Sequence, residues 1–456
     1  MKIFNTLSGK KEIFEPIEDN KIRMYVCGMT VYDDTHIGHA RTFLSFDLIV
    51  RYLRSIDYEV QYIRNITDVD DKIIARAEEL NISPSELTLD CINSMHNDFQ
   101  ALGMISPDAE PRATDNIDSI ISLITKLIDK GHAYVSESDV YFSTESFEEY
   151  GKLSKRKLED MLSGARIDID LDKKNPADFV LWKRDTEGLK WDSPWGPGRP
   201  GWHIECSAMS MDALGETFDI HGGGSDLKFP HHENEIAQSE CVTGKEFAKV
   251  WMHTGSLRID DQKMSKSLKN FITIKEALNE NASEVLRFFL ISSHYRSPLN
   301  YSDEGLKEAK NSLDRLYNSL QELSYETDEH IPTEYSGMFH DAMQDDFNSP
   351  LAISVLFEMV KEINILKKED KLTEASILAS ELVSLSNILG ILLDDPENYF
   401  TSGIDLSNQD IEAAIEIRNK ARKDKDFELS DKIRDDLLKK GITLEDKGTK
   451  TIWKKS

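Results

Sequence analysis

The sequence predicts an α/β protein, with a Rossmann-like, doubly wound parallel sheet that carries an insertion and is followed by a helical bundle and a small C-terminal domain. Three observations support this prediction. Strand and helix patterns alternate over residues 1–110, and they resume after a loop rich in glycine and proline at 191–205. Helical spacing of apolar residues then continues from about 301 to 395. Alternating strands and helices are typical of a parallel sheet, whereas an unbroken series of helices is typical of a bundle.

Length and composition indicate a cytoplasmic protein of several domains. A chain of 456 residues is expected to form about three domains, and its 39% hydrophobic content is enough for their cores. No run of eighteen apolar residues and no apolar N-terminal signal segment occurs, so no membrane association is predicted. The four cysteines are too scattered for a disulfide framework, which indicates a reducing compartment and thiols that could bind a metal.

The formal charge of −28 argues against a broad basic surface. Nucleic acid could bind only through local positive patches, because backbone contacts need Lys and Arg where the phosphates lie. Residues 411–456 hold thirteen Lys and Arg against ten Asp and Glu, and are therefore locally basic. This tail is the candidate RNA contact, although the same composition fits a solvated helix face.

The first half of the predicted nucleotide-binding domain, residues 1–110, contains a strand–helix–strand unit. Residues 22–26 alternate like a strand, residues 42–55 carry apolar side chains at helical spacing, and residues 60–63 form a second strand. Strand-to-helix turns in such units commonly bind phosphate groups. The first turn is therefore a candidate nucleotide site.

The first turn contains His36-Ile37-Gly38-His39. The two imidazoles could donate hydrogen bonds to phosphate oxygens, and Gly38, which lacks a Cβ, would let a flat ligand approach the backbone. The alternative is that both histidines cap the helix or lie on the surface. The polar cluster Arg64–Lys72 after the second strand offers a similar choice, since it could supply ligand groups or be an acidic, capped helix start.

Residues 111–194 are predicted to be an insertion, with a helix from Thr114 and two short strands at 133–135 and 140–142. The helix is expected to bury Ile117, Ile120, Ile121, Ile124 and Ile128. The insertion is too small for a separate hydrolytic domain.

Residues 195–254 are predicted to be the second half of the nucleotide-binding domain. A helix from Trp202, a strand at 217–220, a glycine-rich turn over residues 221–226 and a helix near His231 follow one another there. A junction at 255–300 carries the polar loop Asp260–Ser267, with two lysines. The bundle at 301–395, and a linker with the small C-terminal domain at 396–456, complete the predicted organisation.

The best candidates for a metal site are Cys27, Cys206, His231 and Glu235. His231 and Glu235 are four residues apart on a predicted helix and so share a face. A doubly wound sheet could bring both cysteines to the same crevice, and this donor set suits zinc. Spacing alone nevertheless favours buried cysteines and a surface His–Glu pair. Two neighbours predicted to point from another helix face are competing ligands, His232 and Glu233.

Two short motifs, in order and intact, resemble the signatures of the class I aminoacyl-tRNA synthetase family. They are His36-Ile37-Gly38-His39 and Lys263-Met264-Ser265-Lys266-Ser267. The cysteine-specific group of that family is indicated by four further segments, over essentially the full chain. These are Tyr25-Val26-Cys27-Gly28, Arg64-Asn65-Ile66-Thr67-Asp68, Pro200-Gly201-Trp202-His203-Ile204-Glu205-Cys206 and Phe229-Pro230-His231-His232-Glu233-Asn234-Glu235. The acidic charge is the one feature that the resemblance does not predict.

The resemblance implies ATP-dependent ligation of L-cysteine to tRNA(Cys) through a cysteinyl adenylate. It implies that ATP enters with Mg²⁺ and that the C-terminal domain reads the anticodon. One zinc ion would be bound by the four candidate ligands and would select the substrate thiolate over the hydroxyl of serine. The chain is expected to be a monomer without an editing activity.

The resemblance also assigns roles to individual residues. The catalytic groups would be His36, His39, Lys263 and Lys266. ATP would contact Gly38, Asp226 and Lys266, with Asp226 meeting the ribose or the substrate amine. The amino-acid pocket would be lined by Thr67, Trp202 and His221.

Three rival functions fit parts of the pattern. A ligase that passes activated cysteine to a small amine would leave the bundle and the basic tail unexplained. A non-catalytic RNA-binding protein would have no need for both histidines and both lysines. A zinc hydrolase built on His231 and Glu235 would not use the lysine loop.

Overall fold

In the computed structural model, residues 1–137, 139–156, 172–185, 188–259, 262–263, 271–326, 332–401, 408–447 and 450–455 are described. None of the helices within these ranges has the length and apolar character needed to cross a membrane.

The chain opens with a hairpin and the predicted strand–helix–strand unit. Two helices then lead toward the insertion. In order, the elements are β1 (Lys2–Asn5), β2 (Lys10–Ile13), β3 (Lys21–Val26), α1 (Ile37–Ser55), β4 (Glu59–Arg64), α2 (Asp71–Leu80) and α3 (Pro84–Ala101).

In its described residues, the insertion contains one helix and an antiparallel sheet of four strands in sequence order, and the last strand lies beyond the predicted boundary at residue 194. Its elements are α4 (Ile117–Asp129), β5 (Ala133–Val135), β6 (Asp139–Phe142), β7 (Phe179–Arg184) and β8 (Gly198–Pro200). A 3₁₀ turn precedes α4. The buried stripe of α4 includes Leu123 and Leu127, whereas Ile121 and Ile128 are only half-buried. The expectation for these two isoleucines was wrong because they flank the stripe that faces the sheet.

The second half of the catalytic fold contains α5 (Trp202–Leu214), β9 (Phe218–Gly224), α6 (Glu233–Thr243) and β10 (Ala248–Thr254). The predicted glycine-rich turn at 221–226 is corrected by this structure, since β9 continues to Gly224. Glycine is needed there for packing: a Cβ on Gly222 would lie 2.3 Å from the ring of Phe46 on α1. The strand can therefore pass beneath that ring only without a side chain.

The rest of the chain is mainly helical and ends in the predicted hairpin. Its elements are β11 (Leu257–Ile259), β12 (Gln262–Lys263), α7 (Ile274–Glu280), α8 (Ser283–Ile291), β13 (Leu299–Tyr301), α9 (Asp303–Leu320), α10 (Glu334–Gln344), α11 (Ser349–Lys368), α12 (Leu372–Ile388), α13 (Pro396–Thr401), α14 (Asn408–Lys423), α15 (Phe427–Lys439), β14 (Ile442–Lys447) and β15 (Lys450–Lys455).

The central sheet has the order β10–β9–β3–β4, and every neighbouring pair is parallel. The chain leaves β3 through α1 toward β4, and leaves β9 through α6 toward β10. The connections from the two middle strands thus run in opposite directions, which opens a crevice at their carboxyl ends. The predicted doubly wound α/β fold is confirmed.

A buried ion pair joins the catalytic fold to the helices that follow it. Asp47 on α1 and Arg287 on α8 are bonded through Oδ2 and Nη2, and each side chain is 2% exposed. Arg287 also donates to the carbonyls of Leu389 at 3.1 Å and of Leu102 and Gly103 at 3.2 Å. The pair therefore ties α1 to the ends of α3 and α12.

Replacing Asp47 by alanine is expected to destabilise the protein by about 3–5 kcal/mol, because the guanidinium would remain buried without its anion. The midpoint of urea unfolding measures the effect. The matched control is Glu79→Ala, which removes the exposed pair of Arg76 and Glu79 at 2.9 Å. A surface pair of this kind contributes about 0–1 kcal/mol. Equal shifts of the unfolding midpoint in the two variants would contradict the expectation that the buried pair of Asp47 and Arg287 contributes more to stability than a surface pair.

Candidate active site and metal centre

A cleft of about 310 Å³ opens at the carboxyl ends of β3 and β9. It brings together residues from both halves of the catalytic fold. Its walls include the predicted site residues His36, His39, Cys27, Trp202 and Asp226. The sheet thus gathers at one place groups that are up to about 200 residues apart in the chain.

The two histidines of the first turn form the N-terminal cap of α1. The Nδ1 atom of His36 accepts a hydrogen bond from the backbone N–H of His39 at 3.2 Å, and the backbone N–H of His36 donates to Nδ1 of His39 at 3.4 Å. The two rings stack with centroids 3.5 Å apart. Because each Nδ1 faces the helix backbone, Nε2 is the atom that could meet a phosphate. Capping and ligand binding, treated as alternatives in the sequence, are therefore compatible.

The lysine loop is only partly within the described residues. Lys263 pairs with Arg258 in the short antiparallel ladder of β12 and β11, but its side chain and all of Lys266 lie outside the described part. The segment after the loop returns to the histidines: the ring of Phe271 meets His36 edge-on, with centroids 4.3 Å apart. The backbone N–H of Ile37 donates to the carbonyl of Ile272 at 3.1 Å.

Four buried donors lie beside this cleft. Potential ligand atoms of Cys27, Cys206, His231 and Glu235 are all within 4.8 Å of one another. Oε1 of Glu235 is 3.3 Å from Sγ of Cys27 and 3.1 Å from Nε2 of His231. Cys27 follows β3, Cys206 lies on α5, and the other two precede and begin α6, so the site depends on the tertiary fold. The predicted shared face of His231 and Glu235 is seen in this contact.

Two family models match the sequence. The one described as "tRNA synthetases class I (C) catalytic domain" covers residues 13–311, and the one described as "DALR domain" covers residues 338–394. The chain is 54% identical to a "Cysteine--tRNA ligase" of Hahella chejuensis over 467 aligned residues and 53% identical to one of Haemophilus influenzae over 461, with both proteins fully covered in each comparison. The chain belongs to the cysteine--tRNA ligase family. The recognition made from the two signature motifs is confirmed.

Solved structures support the fold of this cysteine--tRNA ligase family member. A Mycobacterium tuberculosis methionyl-tRNA synthetase in complex with methionyl-adenylate matches with a TM-score of 0.61 and 14% identity, covering 81% of this chain and 89% of that one. A complex of LeuRS, tRNA and LeuAMS from Agrobacterium radiobacter matches with a TM-score of 0.56 and 12% identity, covering 82% and 84%. At these identities the likeness concerns the fold alone.

Burial shifts the pKa values of two of the four donors in this family member. It raises the pKa of the Cys27 thiol well above its usual range, and it lowers the pKa of His231 to about 3. The imidazole is therefore neutral and available as a ligand, whereas the thiol would lose its proton only when a cation is bound. Two sulfurs, one nitrogen and one carboxylate oxygen fit the tetrahedral preference of zinc.

His232 does not point away from these donors, so the prediction that it occupies another face is wrong. Its ligand atom forms a second compact group with those of Cys27, His221 and Glu235, again within 4.8 Å. The reason is that His232 precedes Glu235 by three residues, and side chains three apart on a helix are neighbours; Nε2 of His232 lies 3.9 Å from Oε1 of Glu235. Glu233 does turn away, and its carboxylate accepts from the backbone N–H groups of Gly151, Leu153 and Ser154.

The residues predicted for the amino-acid pocket occupy different depths. Trp202 is partly exposed and stacks on His231 with centroids 4.3 Å apart. His221 is fully buried behind the donors, where its Nε2 contacts Oε2 of Glu235 at 2.8 Å. Thr67 is also buried, and its hydroxyl accepts from Asn65 at 3.3 Å. Of these three pocket residues, Trp202 is the one that lines the cleft directly, and the exposed Asp226 lines it as well.

Gly28 is required beside the donors. Its backbone N–H donates to Oδ1 of Asn65 at 2.8 Å, and a Cβ at this position would lie 1.7 Å from the carbonyl oxygen of Asn65. We expect Gly28→Ala to displace Cys27 and to reduce metal content, as measured by mass spectrometry of the purified protein. The matched control is Gly337→Ala, where φ is not positive and a Cβ would meet nothing within 4 Å. Full metal occupancy in Gly28→Ala would contradict this expectation.

Sequence reasoning gave no individual role to several groups at the site, although Lys72 belongs to the polar cluster Arg64–Lys72 that was proposed to supply ligand groups. Lys72 and Tyr32 line the cleft, with the ammonium 5.6 Å from the ring centroid. His203 contacts His231 through their Nδ1 atoms at 2.9 Å. All three lie within or next to the segments that carried the resemblance, but no periodicity or spacing separates them from their neighbours. Their closeness in the sequence to these motif segments was the one signal that could have identified them.

Proposed function

We propose that this chain catalyses the ATP-dependent ligation of L-cysteine to tRNA(Cys) through a cysteinyl-adenylate intermediate. The observation that carries the proposal is the position of a four-donor metal site, rich in sulfur, directly beside a cleft that contains the histidine pair. The names of the full-length relatives support the same activity. The class I catalytic match over residues 13–311 supports adenylate chemistry.

The donors Cys27, Cys206, His231 and Glu235 would hold one zinc ion. When bound, zinc would supply a Lewis acid that accepts the sulfur of the incoming cysteine as a thiolate. This chemistry distinguishes cysteine from serine, whose hydroxyl is a harder and far less acidic group. Shape alone separates such near-isosteres weakly.

The pocket residues would orient the amino acid once its sulfur is held. Trp202 would cover it from the open side, and Thr67 and His221 would fix the inner wall. Asp226, at the mouth of the cleft, would meet the ribose of ATP or the substrate amine. Their burial or stacking limits their rotation, so the carboxylate would be presented to ATP in a narrow range of orientations.

In the first step the cysteine carboxylate oxygen attacks the α-phosphorus of ATP, and the bond to the β-phosphate oxygen breaks to release pyrophosphate. His36 and His39 would stabilise the growing phosphate charge from one side, with Gly38 allowing close approach. Lys263 and Lys266 would stabilise it from the other side. Mg²⁺ would accompany ATP and bridge its phosphate oxygens. Donors placed where charge develops are usually the largest catalytic contribution.

In the second step a ribose hydroxyl at the 3′ end of tRNA(Cys) attacks the carbonyl carbon, and AMP leaves. The bundle at 301–395, which contains the match to the DALR domain, and the C-terminal domain at 396–456 would hold the tRNA. The second of these would read the anticodon. The catalytic domain would comprise 1–110 and 195–254, divided by the insertion 111–194 and followed by the junction 255–300. We propose a monomer that works in the cytoplasm.

The decisive experiment is pyrophosphate exchange with cysteine and with serine, before and after removal of metal, followed by charging of tRNA(Cys). We expect exchange with cysteine alone, its loss with the metal, and recovery with zinc. Exchange without tRNA charging would favour a ligase for small amines. No exchange would favour a binding protein, and hydrolysis without ATP would favour a zinc hydrolase.

A further inference from the structure

Arg41 is a buried cation close to the histidine pair. It lies on α1, two residues after His39, and its side chain is 2% exposed. Burial lowers the pKa of Arg41 to about 10, so the guanidinium remains charged at neutral pH. None of the functions discussed above uses it.

The partners of Arg41 are all backbone carbonyls at the end of α8 and in the segment after it. Nη1 donates to Leu290 and, at 3.3 Å, to Ser293; Nη2 donates to His294 at 2.6 Å and to Ser297 at 3.3 Å. Within the described residues, no carboxylate forms an ion pair with Arg41, and its Nε has no hydrogen-bond partner. Carbonyls at a helix C-terminus attract a cation.

Such an arrangement is a poor way to gain stability. A buried charge without a counter-ion is costly even when its hydrogen bonds are largely satisfied, and an apolar side chain of similar volume would pack there at lower cost. What the guanidinium does provide is geometry, because its planar fork holds four carbonyls of one segment in a fixed relation to α1.

The segment that Arg41 holds, residues 290–297, leads into β13, which is the neighbour of the strand that enters the lysine loop. The backbone N–H of Gly255 donates to the carbonyl of Tyr295 at 2.8 Å, and β13 then pairs in parallel with β11. β11 pairs in turn with β12, which ends at Lys263. Through these ladders, the position of Lys263 depends on the segment that α1 holds.

The segment that leaves the loop is attached to the same helix. Besides the bond from Ile37 to Ile272, the backbone N–H of Ile274 donates to the carbonyl of Thr35 at 2.9 Å. The segments that enter and leave the lysine loop are therefore both attached to the N-terminal part of α1. Backbone bonds secure the exit, whereas side chains secure the entry: Arg41 acts through residues 290–297, and the hydroxyl of Thr42 lies 3.1 Å from that of Thr254 at the end of β10.

We propose that Arg41 is a positioning residue for adenylate formation. It fixes the strand that ends at Lys263 relative to the histidine pair at the start of α1, so that the donors on the two sides of ATP are correctly spaced. This inference rests on the proposed function, since it concerns the first step of that reaction. Arg41 does not touch the substrate, and its effect passes through the 290–297 segment.

Arg287 provides a matched control. It is also a buried arginine at the contact of α1 and α8, and it also donates to backbone carbonyls. Its partners, however, lie at Leu102, Gly103 and Leu389, away from the cleft, and it has Asp47 as a counter-ion. Substitution of Arg287 should lower stability and leave the chemistry intact, whereas substitution of Arg41 should reduce the rate of the chemistry.

The test compares Arg41→Lys, Arg41→Met and Arg287→Lys by melting temperature, zinc content and cysteine-dependent pyrophosphate exchange. Lysine keeps the charge but cannot span four carbonyls. We expect both Arg41 variants to lose about tenfold or more in kcat, since small misplacement of reacting groups can cost about 10²-fold. The KM for cysteine and the zinc content should stay within twofold of the parent, because the donors are not attached to residues 290–297.

We expect Arg287→Lys to melt at a lower temperature and yet to retain kcat within about twofold, when assayed well below its melting temperature. Full kcat in Arg41→Lys would overturn the proposal, because it would show that this position needs a positive charge and not the planar guanidinium. An equal loss of kcat in Arg287→Lys, or a parallel rise in the KM for cysteine, would also overturn it in favour of general destabilisation. Pyrophosphate exchange by the unchanged protein is measured in parallel. Its absence would contradict the proposed function itself, whereas the outcomes above concern only the role of Arg41.

Discussion

Replacing Cys206 by alanine should remove the bound metal and reduce cysteine-dependent pyrophosphate exchange by more than about 100-fold. Loss of a group that merely orients a metal ligand already costs about 10–100-fold in affinity or activity. Cys206 is 1% exposed, and its Sγ belongs to a group of four donors within 4.8 Å. Metal analysis and the exchange assay on the same preparation measure both effects.

The matched control is Cys91→Ala. Cys91 is also buried, but it lies on α3 in the main hydrophobic cluster, and burial raises its pKa to about 11. A protonated, enclosed thiol is inert. We therefore expect this variant to keep its zinc and its activity, with a modest loss of stability. If Cys206→Ala retained one zinc per chain, the proposed ligand set would be wrong.

Replacing His36 by asparagine should reduce the rate of adenylate formation by on the order of 10²–10³-fold without unfolding α1. The Nδ1 atom of His36 accepts from the backbone of His39, and asparagine offers an oxygen at about the same distance from the main chain. Asparagine is among the preferred N-cap residues. The variant therefore retains the cap while losing the nitrogen that would meet a phosphate, and it separates the two roles of this histidine.

The comparison variant is His36→Gln, whose longer amide reaches about as far as Nε2 of the imidazole. We expect it to recover part of the lost exchange rate, while circular dichroism and melting temperature stay close to the parent for both variants. Should the asparagine variant exchange pyrophosphate at the parental rate, His36 would be a helix cap with no part in the chemistry.

The sequence predicted those parts of the fold whose signals are local. The βαβ unit was recognisable because apolar residues of α1 recur at helical spacing between two strands rich in β-formers. The end of β9 was not, since three successive glycines have the composition of a turn, and only contacts made in the fold explain them, such as the ring of Phe46 at Gly222 and that of His232 at Gly223. The prediction for His232 was wrong because side chains three residues apart on a helix are neighbours, so His232 and Glu235 share a face.

The candidate site shows the same limit. Cys27, Cys206, His231 and Glu235 were named from the sequence through resemblance and donor chemistry, but their proximity depends on strands from two halves of the fold. Arg41 was overlooked because an arginine in an amphipathic helix normally faces water. Its burial follows from the carbonyls at the end of α8, about 250 residues later in the chain.

The division of the donors between the two halves has a consequence for biosynthesis. Cys27 leaves the ribosome early, whereas the other three donors follow only after the whole insertion has been made. With the proposed ligand set, a nascent chain that stops before residue 206 would hold a single ligand. Stable zinc binding would then require both halves of the α/β domain, and the zinc content of truncated chains would report whether the two halves have come together.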